Sequence, residues 1–334
     1  MYGRIAGLPL VRAVPNMVWH REILLGTPMN KVEIVEVGAR DGLQNEAVHF
    51  STAQKVSLIN RAVDAGIKRL EVASFVHPKL VPQMADAEAV VADLPDNSDI
   101  IYIGLVLNKR GYMRALATRD GNKRGVDEVG CVAIASDTFG NKNQGQTRAQ
   151  SIEESKAILA LAKRDGLSAQ VTISAAFGCP FEGEVARRTV IDMATELAES
   201  APREIAIADT IGVAVPAQVS AMFNQLREAI PHIPLRAHFH NTRGTGIANA
   251  WAAFEAGATV LDSSVAGLGG CPFAPRATGN IGTEDLLYML KRSSVGTGVD
   301  LDKMLALATW IENILGRPAS SMVSQAGNFP VSTA

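Results

Sequence analysis

Short runs of β-branched and apolar residues alternate along this chain with longer segments whose apolar residues recur at helical spacing. The alternation begins near residue 31 and repeats eight times. A strand followed by a crossover helix is typical of parallel sheets, and eight units in roughly 240 residues match a closed barrel better than a doubly wound sheet. We therefore predict an α/β fold, a (β/α)8 TIM barrel, with strands at 32–37, 69–73, 100–107, 128–135, 169–175, 204–208, 235–240 and 259–263.

Helical segments between these runs complete the predicted barrel, because their apolar residues recur every three or four positions. Two further helices near the C-terminus should supply the last barrel helix and a C-terminal helical extension. We predict one catalytic barrel domain over residues 29–325, followed by a tail at 326–334. The expected helices are 51–65, 83–93, 151–164, 184–200, 216–229, 246–256, 284–292 and 301–315.

Residues 1–28 stand apart from this pattern. They carry arginines and a short apolar stretch, but neither the long apolar core nor the small-residue cleavage site of a signal peptide. Met29 directly precedes the first strand. We expect either a dispensable leader from an upstream start or an arm that covers the barrel bottom or a neighbouring subunit, and we favour the leader.

Composition narrows the range of partners. The 334 residues are 47% hydrophobic and carry a formal net charge of −2, so nothing indicates binding to nucleic acid or to an anionic membrane. No apolar run approaches the roughly 18 to 20 residues of a membrane span. Three cysteines without CxxC spacing argue against disulfides and structural zinc, and they favour a cytoplasmic location. Small molecules and copies of the chain itself are the expected partners.

Polar residues collect where the predicted strands end. In a (β/α)8 barrel the C-terminal strand ends and the loops that follow them form the active site. We therefore expect these side chains to surround one site at the barrel mouth. They are Arg40, Asp41 and Gln44 after the first strand, Glu71 and Ser74 at the second, Asp209 and Thr210 at the sixth, and His238 and His240 at the seventh.

Three of these residues form a candidate metal site. His238 and His240 are two positions apart on one strand, so both can point into the barrel. Together with Asp41 they offer two nitrogens and a carboxylate, a set that suits a divalent cation with open positions, and Asn280 could add a carbonyl oxygen. Strand histidines also occur as hydrogen-bonded core groups, so the spacing alone leaves that alternative open.

Cys271 lies in a glycine-rich loop after the eighth strand, among Gly267, Gly269, Gly270 and Gly279. Such loops over barrel mouths often act as lids, and a thiol there could serve as an acid or base beside a metal. Cys131 and Cys179 are expected to be structural, as buried cysteines usually are. A run of basic residues is interpreted as a solvated helix face or, alternatively, as a contact for a phosphorylated substrate; it comprises Lys109, Arg110, Arg114, Arg119, Lys123 and Arg124.

Read together, these motifs closely resemble the 3-hydroxy-3-methylglutaryl-CoA lyase family, part of a group of metal-dependent lyases and synthases built on (β/α)8 barrels. The resemblance covers residues ~31 to 325, and the glycine-cysteine loop is its most specific part. The motifs that carry it lie at 37–46, 74–76, 82–84, 178–183, 208–212, 238–240, 262–273, 278–280 and 283–286.

The resemblance implies a cofactor and a set of roles. Mg²⁺ or Mn²⁺ would be bound by Asp41, His238, His240 and Asn280. Arg40 would stabilise the thioester enolate, Glu71 would organise the site, and Cys271 would protonate the product carbanion. We also expect substrate contacts from Arg40, Gln44, Ser74, Thr210, Asn241 and Arg243.

The implied reaction is a retro-aldol cleavage of 3-hydroxy-3-methylglutaryl-CoA to acetyl-CoA and acetoacetate. The tertiary hydroxyl must lose its proton, a role open to Asp41 or His238, and a fixed cation such as Arg40 acts where negative charge develops on the thioester oxygen. Leucine degradation is one pathway that uses such a reaction. Barrels of this family tend to pair, so a homodimer or higher homo-oligomer is expected.

One motif departs from the family pattern. Asn241-Thr-Arg-Gly244 follows the second histidine, where most of these lyases have Asp-Thr-Tyr-Gly. This departure leaves the identity of the substrate's acyl group open, so a closely related 3-hydroxy-3-carboxymethyl or longer-branched acyl-CoA is also a candidate substrate. A synthase of the isopropylmalate or citramalate type is the alternative function, although that group lacks the Gly-Gly-Cys-Pro loop. A barrel that merely binds acyl-CoA is a third possibility.

Overall fold

Eight parallel strands close a barrel in the computed structural model, which describes residues 31–121, 124–271 and 274–330. In space the order around the barrel is β1-β8-β7-β6-β5-β4-β3-β2, and all neighbours are parallel. The strands are β1 Glu33–Glu36, β2 Arg69–Ser74, β3 Ile101–Leu105, β4 Glu128–Ile134, β5 Ser168–Ser174, β6 Ile205–Asp209, β7 Leu235–Phe239 and β8 Val260–Ser263. The predicted fold class is confirmed, with strand ends displaced by at most about two residues, as is usual.

Helices follow the strands and pack on the outside of the barrel. They are α1 Thr52–Asp64, α2 Ala87–Ala92, α3 Lys109–Ala117, α4 Asp137–Gln144, α5 Arg148–Arg164, α6 Arg187–Ala198, α7 Pro216–Ala229, α8 Gly246–Glu255, α9 Thr283–Arg292, α10 Leu301–Leu315 and α11 Met322–Ala326. Buried apolar side chains from both layers, including Leu58, Leu70, Val171, Phe223 and Leu290, join in the main core.

The predicted helices differ from the observed ones in several places. Helix α6 begins three residues later and ends two residues earlier than the predicted 184–200. The segment predicted as one helix over 83–93 is a 3-10 turn, Pro82–Met84, followed by the shorter α2. Helix α4 was not predicted; Ser136 caps its first turn and Gly145, in the left-handed region at φ 70°, ends it. Helix α5 begins three residues earlier than expected because Thr147 and Gln150 form a capping box.

The C-terminal helices brace the loop that follows β8. Helix α10 packs against the 3-10 turn Val265–Gly267 at the start of this loop, and the backbone N–H of Ser320 donates to the carbonyl of Ala266 at 2.9 Å. The Asp285 carboxylate accepts from the N–H groups of Met322 and Val323. The predicted C-terminal extension therefore supports the mouth of the barrel.

Two sequence predictions concern residues that the structure does not describe. The N-terminal segment 1–28 and the last part of the 326–334 tail fall outside the described residues, so the leader and the exact domain bounds stay predictions. Among the helices that the structure describes, none is long and apolar enough to cross a membrane.

Candidate active site

A cavity of about 1170 Å³ opens at the C-terminal ends of the barrel strands. Seven of the predicted site residues lie in its wall, although they come from four different strand ends. This convergence follows from the closed barrel, since all its parallel strands end at the same mouth. They are Arg40, Asp41, Gln44, Glu71, Thr210, His238 and His240.

The segment that carries Arg40 and Asp41 is wound as one π-helical turn, Gly38–Gly42, directly after β1. The N–H of Gly42 donates to the carbonyl of Val37 at 3.1 Å. A Cβ atom on Gly42 would lie 2.6 Å from Ser264 Oγ, so only glycine allows this close approach. Isolated π turns are frequent at functional sites, and the sequence alone gave no signal for this one.

Asp41, His238 and His240 lie together as the candidate metal site that the sequence predicted. One ligand atom from each lies within 4.8 Å of the others, and Asp41 Oδ2 is 3.9 Å from His238 Nε2. Residues Gly279 to Ile281 pair with the end of β7 and bring Asn280 beside His240. The Asn280 amide donates to Asp41 Oδ2 at 2.8 Å.

Two orphaned polar atoms test whether a cation fits this cluster. His240 Nδ1 and Asn280 Oδ1 are buried and have no hydrogen-bond partner among the described residues. A buried acceptor without a partner carries a desolvation cost that coordination to a metal would offset. The donor set of imidazole nitrogen, carboxylate and amide oxygen suits a divalent cation, so these residues fit a metal.

Electrostatics in the cluster favour an ionised carboxylate and a neutral ligand imidazole. Burial opposes the charge of Asp41, but Arg40 and the two histidines hold its pKa well below the ordinary value. Burial, together with the charge of His238, lowers the pKa of His240 to about 4. At neutral pH His240 is therefore neutral and able to bind a cation.

Asp262 is a site residue that the sequence reasoning missed. Its Oδ2 lies 3.0 Å from His238 Nδ1, and although burial lowers the pKa of His238, this contact raises it overall. A carboxylate behind a histidine fixes the ring and its tautomer, which leaves Nε2 facing the cluster. The available signal was its position at the C-terminal end of β8, where a carboxylate should face the mouth.

Arg40 is held between two carboxylates. Its Nε donates to Glu71 Oε2 at 2.7 Å, and its Nη1 donates to Asp41 Oδ1 at 2.6 Å. The Arg40 side chain is 11% exposed, so it lies at the cavity wall with little water around it. A fixed cation of this kind stabilises negative charge that develops in the cavity.

Other predicted residues are placed away from the cavity wall. The Ser74 hydroxyl is buried without a partner among the described residues. Asn241 Oδ1 accepts from the N–H of Gly246 at the start of α8, and Arg243 Nη1 donates to the carbonyls of Ile211 and Gly212. These three side chains are engaged in local structure or packing.

The cysteines and the basic run are placed as follows. Cys131 and Cys179 are buried, and burial raises the pKa of Cys131 to about 12, in keeping with the structural interpretation. Cys271 lies in a two-stranded hairpin, Gly270–Cys271 with Ala274–Thr278, but its side chain and Lys123 fall outside the described part. Of the basic run, Arg110 and Arg114 line the cavity, so these two residues are more than part of a solvated face.

The fold and the cluster together define a barrel enzyme with a candidate metal centre at its mouth, and comparison with known proteins identifies the family. Residues 31–311 match the HMGL-like family model. The chain is 41% identical to (R)-citramalyl-CoA lyase of Chloroflexus aurantiacus, covering 90% of this chain and 96% of that one. It is 40% identical to the hydroxymethylglutaryl-CoA lyase YngG of Bacillus subtilis, covering 87% and 95%.

A solved structure with the same barrel is that of an HMG-CoA lyase from Acinetobacter baumannii in complex with coenzyme A and 3-methylmalate. It superposes with a TM-score of 0.84 at 37% identity, covering 90% of this chain and 96% of that one. The chain belongs to the HMGL-like family of carbon-carbon lyases, which confirms the resemblance drawn from its motifs.

Proposed function

We propose that this chain is a divalent-metal-dependent acyl-CoA lyase that cleaves 3-hydroxy-3-methylglutaryl-CoA or its close analogue citramalyl-CoA, releasing acetyl-CoA. The observation that carries the proposal is the cluster of Asp41, His238 and His240 at the barrel mouth, with Arg40 bound to Asp41. A cation site beside a fixed guanidinium matches the needs of retro-aldol cleavage, where a hydroxyl loses its proton and a thioester enolate forms.

Asp41, His238, His240 and Asn280 would hold Mg²⁺ or Mn²⁺, both of which accept oxygen ligands. The bound cation would polarise the substrate hydroxyl and so lower its pKa. The hydroxyl proton has two candidate acceptors in the cluster, the Asp41 carboxylate and the His238 imidazole. Arg40 would then stabilise the negative charge that develops on the thioester oxygen.

A proton donor must complete the reaction, because the enolate of acetyl-CoA becomes the product only when its carbon is protonated. We assign this role to Cys271. Its hairpin lies beside the mouth, since Asn45 Nδ2 donates to the carbonyl of Gly270 at 3.2 Å and Gly270 lines the cavity. Closure of this hairpin over the substrate would also exclude water.

The basic residues that line the cavity suit the phosphates of coenzyme A. Arg110, Lys79 and Lys142 line the cavity and would contact the phosphates of the thioester's coenzyme A portion. Of these three, Arg110 belongs to the basic run, and its position favours the phosphate alternative for that residue. The Acinetobacter baumannii structure, similar over 90% of this chain, contains coenzyme A.

The acyl group of the substrate is the next point to assign. Hydroxymethylglutaryl and citramalyl thioesters differ by one methylene between the carbinol carbon and the carboxylate, and a pocket discriminates one methylene by only about 1–3 kcal/mol. The two relatives named for these substrates are almost equally similar, at 40% and 41% identity. We therefore propose that the chain cleaves at least one of the two.

The experiment supplies each thioester to the purified protein with Mn²⁺ and follows acetyl-CoA together with the second product. Acetoacetate identifies the hydroxymethylglutaryl substrate, and pyruvate identifies the citramalyl substrate. The ratio of the two kcat/KM values assigns the acyl group. Release of acetyl-CoA from neither thioester would overturn the proposal.

The synthase alternative gains no support from the comparisons, because the relatives described above are named as lyases. Its test is a condensation assay with acetyl-CoA and a 2-oxo acid, where we expect no product. A homo-oligomer and a place in leucine degradation stay predictions from the sequence.

A further inference from the structure

Below the candidate metal site, the barrel interior contains a fully buried arginine that the sequence reasoning did not select. Arg236 is 0% exposed and lies on β7 two residues before His238, so both side chains project from the same face of the strand. Its guanidinium contacts three carboxylates. Nε bonds to Asp262 Oδ1, Nη2 donates to Glu71 Oε1 at 3.0 Å, and Nη1 lies 3.4 Å from Glu204 Oε1.

Two of these carboxylates connect Arg236 to different parts of the site. Glu71 gives one oxygen to Arg236 and the other to Arg40. Asp262 gives one oxygen to Arg236 and the other to His238 Nδ1. The Arg236 guanidinium therefore holds both carboxylates in place. One of them, Glu71, orients Arg40, and the other, Asp262, orients His238.

We propose that Arg236 is a positioning residue that orients Arg40 and His238 together, through Glu71 and Asp262; the inference rests on the proposed lyase function. Neither Glu71 nor Asp262 needs to contact the substrate for this role. Arg236 sets the distance and angle between the Glu71 and Asp262 carboxylates, because its planar guanidinium presents N–H groups in fixed directions.

The chemistry of the guanidinium explains why arginine occupies this position. Two buried carboxylates facing one cavity repel each other and the thioester enolate, so a cation between them reduces that repulsion. Lysine would supply the same charge but from one nitrogen at the end of a flexible chain, without the fork geometry. Arg236→Lys therefore keeps the charge and removes the orientation.

Arg69 offers a matched control inside the same barrel. It is also 0% exposed and also contacts three carboxylates, those of Glu33, Glu128 and Glu204. It contacts neither Glu71 nor Asp262 in the described structure. Arg69 shares Glu204 with Arg236, but Arg69→Lys leaves the contacts of Arg236 with Glu71 and Asp262 in place. It should therefore reproduce the loss of buried packing and of fork geometry with Arg40 and His238 still oriented.

The test measures Mn²⁺ affinity without substrate by calorimetry, then kcat, KM and the unfolding temperature. For Arg236→Lys we expect Mn²⁺ to bind about 10- to 100-fold more weakly, the range seen when outer partners of metal ligands are lost. We also expect kcat to fall more than tenfold at saturating Mn²⁺, with KM for the thioester changed less than threefold. Arg69→Lys should lower the unfolding temperature similarly and leave Mn²⁺ affinity and kcat within threefold of wild type.

Equal effects of the two lysine variants on Mn²⁺ affinity and kcat would overturn the proposal, since Arg236 would then be a structural residue. If Arg236→Lys does not fold, Asp262→Asn and Glu71→Gln test its two connections separately. Asp262→Asn should weaken Mn²⁺ binding, while Glu71→Gln should lower kcat and leave Mn²⁺ affinity unchanged. Unchanged Mn²⁺ affinity in Asp262→Asn would likewise overturn it. A wild-type protein that binds Mn²⁺ but cleaves neither thioester refutes the lyase function instead.

Discussion

Two buried glutamates hold the loop that leads from β8 to the cysteine hairpin. Glu36 Oε1 accepts from the N–H groups of Gly38 and Val265, so it links the turn that carries Asp41 to the start of this loop. Glu284 accepts from the N–H of Ala266 at 2.9 Å. Burial raises the pKa of Glu36 to about 7 and that of Glu284 to about 8.

These carboxyls predict a pH dependence of stability. Glu284 has an ordinary pKa of 4.5 and a folded pKa of about 8, so between these values the folded protein binds a proton that the unfolded chain has released. The free energy of unfolding therefore falls as pH rises through this window, by up to about 1.4 kcal/mol per pH unit for one group. Glu284→Gln should reduce that slope, measured by urea unfolding from pH 5.5 to 7.

Wild type and Glu284→Gln share every other titrating group, so the difference between their slopes reports on Glu284. Parallel slopes for the two proteins would show that Glu284 is ionised in the folded state.

Replacing Cys271 should affect the rate of the reaction and not the binding of the metal. Cys271→Ala should lower kcat by at least 100-fold, the contribution typical of a general acid. Mn²⁺ affinity should stay unchanged, because the proposed metal ligands are Asp41, His238, His240 and Asn280. Cys131→Ala is the control, since Cys131 is buried in β4 away from the cavity. Full activity of Cys271→Ala would remove the thiol from the mechanism.

At the scale of elements, the sequence predicted the eight strands because each shows a short β-branched run closed by polar residues. It missed the π-helical turn Gly38–Gly42, since a glycine-rich segment looks like any loop until Ser264 and Leu268 are seen to pack against it. It also missed α4, whose capping residues Ser136 and Gly145 were present without an apolar face to mark a helix.

The hairpin after β8 depends on a close approach between two backbone segments. A Cβ on Gly279 would lie 2.3 Å from the carbonyl carbon of Gly269, and backbone cannot give way as a side chain does. Gly279→Ala should lower the free energy of unfolding by about 1–3 kcal/mol. Gly270→Ala is the control, because its Cβ meets no described atom within 4 Å. Equal urea midpoints for the two variants would contradict this packing argument.

At the scale of the whole molecule, the sequence predicted which residues would meet at the mouth but not how they are connected. Convergence follows from the barrel alone, which is why Asp41, His238 and His240 could be grouped in advance. Asp262 links neighbouring strands, whereas the contact of Arg236 with Glu71 joins β7 to β2 across the barrel. No local pattern encodes which of these buried charges face one another. Asn241 and Arg243 are a second example. Their sequence positions predicted substrate contacts at the mouth, whereas their side chains hydrogen-bond to the backbone of Gly246 and Ile211.

The dependence of acetyl-CoA release on a bound cation tests the central claim most directly. The protein is freed of metal with a chelator, assayed with both thioesters, and assayed again after Mn²⁺ is restored, with Asp41→Asn treated identically. We expect the wild type to lose its activity and regain it with Mn²⁺, while Asp41→Asn stays inactive because the cluster has lost its charged ligand. Full cleavage by the chelated wild type, or recovery by Asp41→Asn equal to that of the wild type, would contradict the account.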